Sequence, residues 1–250
     1  MVPNPRLLEA DSAERLGRAE ALEALLGALE PQEIIARSLD QNLGSVAAVS
    51  SFGADSAVLL RMIAEVDRNL PVFFLDTGKH FGETLDYRDV LAADLGLTNL
   101  QIITPKPQSL ADVDPDGNLH RSDTDACCEI RKVEPMARAV EPYGAWFTGR
   151  KRFQSAMRAK LNVFEEVGPR LRINPLARWD TSDLADYMRR HRLRENPLVA
   201  YGYLSIGCFP CTQPVKPGED ARSGRWAGQS KTECGIHLTG LEQSLTASSL

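Results

Sequence analysis

The sequence predicts an α/β fold, a mostly parallel sheet with helices on both faces. Short apolar runs alternate with stretches of helical period along most of the chain. The first of those runs ends in a turn of small residues, Ser50-Ser51-Phe52-Gly53-Ala54-Asp55-Ser56, that opens a helix. Polar residues gather just after other runs, at the carboxyl ends of strands, where parallel sheets hold their ligands.

The elements follow in order. From Ser12 to Glu30 leucines and alanines recur at helical spacing, and Pro31 opens a second helix through Gln32-Glu33-Ile34-Ile35-Ala36, so residues 1–44 read as a helical preface. Ser45 to Ser50 is the first strand, and Ala57 to Val66 the helix after its turn. Val72-Phe73-Phe74-Leu75 is a strand before a helix over Glu83 to Leu95, and Leu100-Gln101-Ile102-Ile103 is the next strand. Thr104 to Asp125, with three prolines and Gly117, reads as a long loop. Ala145-Trp146-Phe147-Thr148 is a strand expected to precede another helix. The α/β body is thus placed at residues 45–213. Beyond Pro214 the composition turns to Gly, Ser, Lys and Glu without periodicity, which predicts a flexible tail over residues 214–250.

A chain of 250 residues with 43% hydrophobic and 25% charged residues has the make-up of an ordinary globular protein with one large core. No apolar run is long enough to cross a bilayer, and Met1 to Leu16 resembles no secretion signal. A cytoplasmic setting is expected, with cysteines reduced or metal-bound. The formal net charge of -5 argues against sequence-blind nucleic-acid binding. Arg150, Lys151, Arg152 and Arg158 nevertheless cluster, as do Arg222, Arg225 and Lys231, and such patches suit a small anion.

The five cysteines divide into an adjacent pair, Cys127-Cys128, a Cys208-x-x-Cys211, and a lone Cys234 within Glu-Cys-Gly-Ile-His. Adjacent cysteines fit poorly around one zinc ion, whose ligands come as spaced pairs. A [4Fe-4S] cube spreads its thiolates over separate irons, so Cys127, Cys128, Cys208 and Cys211 favour it over zinc or free thiols. The fifth thiol, in a polar segment, is the nucleophile candidate.

The turn after the first strand offers backbone N–H groups and a helix dipole to a phosphate, without the Gly-Lys-Ser/Thr of a Walker A loop. It resembles the PP-loop of the adenine-nucleotide α-hydrolase superfamily, with Phe52 where a first glycine stands, which argues against pyrophosphate release from ATP. Leu75-Asp76-Thr77-Gly78 adds a second strand end. Thr148-Gly149-Arg150-Lys151-Arg152 adds cations at a third.

Together with Cys127-Cys128-x-x-Arg131-Lys132 and Glu233-Cys234-Gly235-Ile236-His237, these motifs stand in the order of the assimilatory adenylyl-sulfate (APS) reductases, relatives of the phosphoadenylyl-sulfate (PAPS) reductases. The resemblance covers about Ser45 to His237; Lys79-His80-Phe81 and the extension past His237 depart from it. It implies reduction of APS to sulfite and AMP, in sulfate assimilation for cysteine biosynthesis, with thioredoxin or glutaredoxin as electron donor. It implies catalysis by Cys234, through an S-sulfocysteine, with His237 as a second contact, and a [4Fe-4S] cofactor on the other four cysteines. Carried over as substrate contacts are Ser51, Phe52, Gly53, Asp76, Thr77, Lys132, Arg150, Arg152, Arg222 and Arg225. PAPS reduction is the alternative; an ATP pyrophosphatase and an iron-sulfur redox sensor are the remoter ones. A homo-oligomer is compatible with the sequence.

Overall fold

The computed structural model describes residues 17–228, 231 and 233–237. The expectations for residues 12–16 and for the tail after His237 lie outside these residues. Helix α1 is described over residues 17–26, and α2 (Pro31–Asp40) starts with its proline in the first turn, where a missing N–H costs nothing.

Strands β1 (Val46–Val49), β2 (Val72–Leu75), β3 (Leu100–Ile103) and β4 (Ala145–Thr148) fall where the apolar runs place them. They pair in parallel. Helix α3 (Ser56–Val66) follows β1 and α4 (Gly82–Leu95) follows β2. Gly96 stops α4 in the left-handed region, φ 67°, which glycine adopts without a Cβ clash.

Side chains alternate across the strands. Ala48, Val72, Phe74 and Phe147 pack with α1 to α4 on one face, whereas Ala47, Phe73, Leu75 and Trp146 meet Met136, Ala137 and Val140 on the other. Those three residues belong to α8 (Glu134–Val140), so helices cover both faces as predicted.

Two expectations are corrected. The loop expected at Thr104 to Asp125 contains α5 (Pro107–Val113), α6 (Leu119–Ser122) and the start of α7 (Thr124–Cys128). Neither α5 nor α6 buries a residue, so no apolar period betrayed them. After β4 there is no α-helix before residue 181 but two 3₁₀ turns and then a hairpin, β5 (Phe164–Val167) and β6 (Arg170–Ile173). Its turn, Gly168-Pro169 with Gly168 at φ 55°, was the missed signal. A further amphipathic helix, α9 (Thr181–Arg190), begins with a capping box in which Asp180 accepts from the N–H groups of Ser182 and Asp183.

The sheet order is β3-β2-β1-β4-β6-β5, with β5 antiparallel. The chain departs in opposite directions from the adjacent strands β1 and β4, which makes the gap beyond their carboxyl ends the topological switch point. The described part of the expected tail is tied to the body. Val215 N–H donates to Gly202 at 2.9 Å, Trp226 N–H to the Cys211 carbonyl at 3.0 Å, and Thr212 bridges Arg225.

Candidate active site

A cavity of about 480 Å³ opens at the switch point. Its inner wall is apolar, from Val49, Leu75, Met136 and Trp146, and its edge carries the β1–α3 turn, Ser50, Ser51, Gly53, Ala54, Asp55 and Ser56. Lys132, Arg150, Arg158, Arg172, Arg222, Arg225 and Cys234 line it as well. An apolar wall beside a cationic rim and a helix N-terminus suits a molecule with a flat apolar part and an anionic part.

The turn is held from within. Phe52 N–H donates to Ser50 Oγ at 3.2 Å and Gly53 N–H to Ser56 Oγ at 2.8 Å, while Asn196 donates to the Phe52 carbonyl at 3.0 Å. Phe52 has φ 49°, the left-handed conformation that explains why glycine belongs there. Its ring is fully buried, edge-on to Phe74 at 5.7 Å, so the side chain belongs to the core and only the backbone of Phe52 is left to the turn.

The cations separate by partner. Lys151, fully buried, pairs with Asp55 at 2.5 Å and braces the turn. Arg150 and Arg172 both donate to Glu165 Oε2, at 2.5 and 3.0 Å, and Asn174 adds a third bond at 2.7 Å. Burial alone would raise the Glu165 pKa, but Arg172 and Arg150 hold it below the usual carboxylate range. Arg152 instead donates to the Leu161 carbonyl at 2.8 Å and does not line the cavity. Arg158, not carried over as a contact, does line it. Arg150, Arg158 and Arg225 each bury an Nε without a hydrogen-bond partner in the structure. Orphaned cationic donors around one cavity call for an anion.

Neither Asp76 nor Thr77 lines the cavity. Asp76 accepts from Gly78 N–H at 2.9 Å, and Thr77 Oγ1 lies 3.3 Å from Cys208 Sγ. Between α7 and α8 the helix widens into a π-turn, Glu129–Val133, a distortion common at functional sites. Arg131 there reaches Asp114 at 2.6 Å and the Thr77 carbonyl at 2.7 Å, while its neighbour Lys132 faces the cavity. His80 also lines the cavity. Its Nε2–H donates to the Leu75 carbonyl at 2.9 Å, its Nδ1 has no partner, and burial lowers its pKa, so the ring is neutral.

All five cysteines are free thiols, and all but Cys211 are buried. Burial raises the pKa of Cys127 and of Cys211, and Cys208 lies close enough to raise both further. Cys128 packs with Trp226 and Cys234 and donates its S–H to the Cys234 sulfur. That bond holds the Cys234 pKa well below the thiol range against its burial, and Lys132 and Arg225 act in the same direction. Burial would lower the Lys132 pKa, but Cys208, Cys234 and Cys128 raise it, so its ammonium is retained. Among the described residues no three His, Cys, Asp or Glu side chains converge in metal-binding geometry. The donor set itself is all thiol, drawn from two facing segments with Arg131 and Lys132 alongside, which fits an iron-sulfur group. His237 ends the turn Gly235–His237 and does not line the cavity.

A nucleotide-binding α/β protein of the PP-loop kind is what this sheet order, turn and cationic cavity define. The solved FMN adenylyltransferase of Candida glabrata shares that fold alone, at 15% identity and a TM-score of 0.53 over 79% of this chain and 66% of that one. The phosphoadenosine phosphosulfate reductase domain family matches residues 45–214, and the chain belongs to it. It is 68% identical to the adenosine 5'-phosphosulfate reductase of Mesorhizobium japonicum over the full length of both chains. The phosphoadenylyl-sulfate reductase of Candida auris, solved as a phosphate complex, is 30% identical with a TM-score of 0.66, covering 77% of this chain and 94% of that one.

Proposed function

We propose that the chain reduces adenosine 5'-phosphosulfate to sulfite and AMP in sulfate assimilation. The observation that carries this reading is that Cys234 lines a cavity whose buried arginines have unused donors. The full-length likeness to an adenosine 5'-phosphosulfate reductase names the anion. The nucleotide lies along the apolar wall with its phosphate at the β1–α3 turn, and the sulfate meets Lys132, Arg158, Arg222 and Arg225.

The Cys234 thiolate attacks the sulfate sulfur. A sulfur–sulfur bond forms, the bond from sulfur to the phosphate oxygen breaks, and AMP leaves with that electron pair. A dithiol protein such as thioredoxin or glutaredoxin then attacks Cys234 Sγ and expels sulfite. Its second thiol resolves the mixed disulfide, so the donor loses two electrons as sulfate sulfur becomes sulfite. The division replaces one difficult reduction by two displacements. The cations screen the thiolate from the anionic substrate it approaches. Release of the Cys234 segment gives a bulky donor access to the S-sulfo group. Cys127, Cys128, Cys208 and Cys211 would hold a [4Fe-4S] cluster, which would supply a fixed charge beside the cavity. A thiolate ligand at Cys128 has no proton to share, and Lys132 and Arg225 then hold Cys234 as thiolate. The chemistry calls for a reducing compartment, as the cytosol provides.

Anaerobic assay of sulfite release from APS and PAPS side by side tests the reading, together with the mass of the Cys234 peptide after APS alone. Turnover of APS and one added sulfonate on Cys234 are expected. An active Cys234→Ser enzyme, or turnover of PAPS alone, would sink it.

A further inference from the structure

Next to the nucleophile stands Glu233, whose carboxylate is almost completely buried, with a side chain 4% exposed. Oε2 accepts from Arg158 at 2.7 Å and from Arg222 at 3.3 Å, and Oε1 accepts from Ser155 at 3.1 Å. Burial would raise its pKa, but Arg158 and Arg222 hold it below the usual range. Both arginines line the cavity, as does Cys234, whereas Glu233 does not. The carboxylate therefore takes the guanidinium groups from behind. Arg158 also donates to Gln154 Oε1, and a guanidinium carries five N–H donors, so these bonds do not exhaust what it can offer an anion in the cavity.

We infer that Glu233 is the positioning residue that docks Cys234 against the sulfate end of the cavity, by clasping the same arginines that receive the substrate. Adjacent Cα atoms are about 3.8 Å apart, so fixing the Glu233 carboxylate leaves Cys234 little room to wander. The residue on the other side is anchored too: a Cβ at Gly235 would sit 2.8 Å from Val133 Cγ2, so the backbone there lies on the π-turn. The two guanidinium charges exceed the one carboxylate, and the cavity stays attractive to an anion. The inference rests on Cys234 being the nucleophile.

Glu233→Gln keeps the size of the side chain and sets an amide N–H₂ against a guanidinium. Three measurements read it: AMP affinity by calorimetry, the single-turnover rate of Cys234 sulfonation by APS without a thiol donor, and the rate at which iodoacetamide labels the Cys234 peptide. Removing a negative charge from beside the cavity should leave AMP bound as tightly as before or tighter. Sulfonation should slow roughly ten- to hundredfold, the scale of a nucleophile misplaced by about 1 Å. Labelling should quicken, and Glu233→Asp, which keeps the charge, should fall between. Equal sulfonation rates, or AMP affinity lost in proportion to rate, would overturn the inference, the latter by reducing Glu233 to a support of the fold. If Glu233→Gln does not fold, Ser155→Ala trims the same clasp without stranding a charge; an unchanged rate there overturns it equally. A wild-type protein that takes no sulfonate would instead sink the proposed function, and the labelling rates would then decide the docking role alone.

Discussion

Arg225 lies against Gly207 so closely that a Cβ at position 207 would sit 2.4 Å from Nη2 and 2.5 Å from Cζ. The guanidinium is stacked over Trp226 at 4.5 Å, and Arg225 lines the cavity. Glycine at 207 is thus a requirement of the arginine's position, not of a turn. Gly207→Ala should push Arg225 out while costing little stability, because the displaced group is the end of a flexible side chain. Losing a charge-assisted bond to a desolvated anion is worth about 1.5–3 kcal/mol, so kcat/KM for APS should fall about ten- to hundredfold. In an Arg225→Ala background the same substitution should add nothing, and a full additional loss in that double variant would show that Gly207 acts otherwise.

Phe52 sets two effects against each other. Glycine would relieve a left-handed conformation that costs an ordinary residue about 1–2 kcal/mol, yet it would empty a fully buried site whose loss is worth about 3–5 kcal/mol. Burial wins by about 1–4 kcal/mol. Phe52→Gly should therefore lower the unfolding free energy in urea, and a stabilised variant would show that backbone strain dominates.

Glu165 accepts bonds from Arg150, Arg172 and Asn174, and its pKa is lowered in the folded protein. A lowered carboxyl contributes stability above its unfolded pKa and loses it as pH falls through the folded value. Glu165→Gln should cost about 2–3 kcal/mol near pH 7, discounted from a fully buried pair because the Glu165 side chain is 23% exposed. The gap to wild type should close as pH falls below about 4.5, since only the wild type then loses a charge. A gap constant in urea titrations down to pH 3 would contradict this.

The thiol set makes a separate expectation. Anaerobically purified protein should contain iron and acid-labile sulfide in equal amounts. Serine at Cys127, Cys128, Cys208 or Cys211 should reduce both, whereas Cys234→Ser should retain them. Chelation of the iron should destabilise the fold, because the four thiols come from two segments far apart in sequence. Stoichiometric zinc without sulfide would end the idea.

How far the sequence reached depends on the range of the interaction concerned. Strands β1 to β4, the phosphate turn, the proline that opens α2 and the grouping of the cysteines were legible, because each is written in consecutive residues: an apolar run, a capped turn, a spacing. The short helices α5 and α6 were not, since a helix that buries nothing carries no apolar period. The cationic run after β4 shows the other boundary. In Arg150-Lys151-Arg152 the charges look alike, yet one faces the cavity, one braces Asp55 from 96 residues away, and one caps the Leu161 carbonyl. Arg158 meets Glu233 across 75 residues. Which partner a buried charge takes is decided by desolvation, which only the packed tertiary structure imposes, and no local pattern records it.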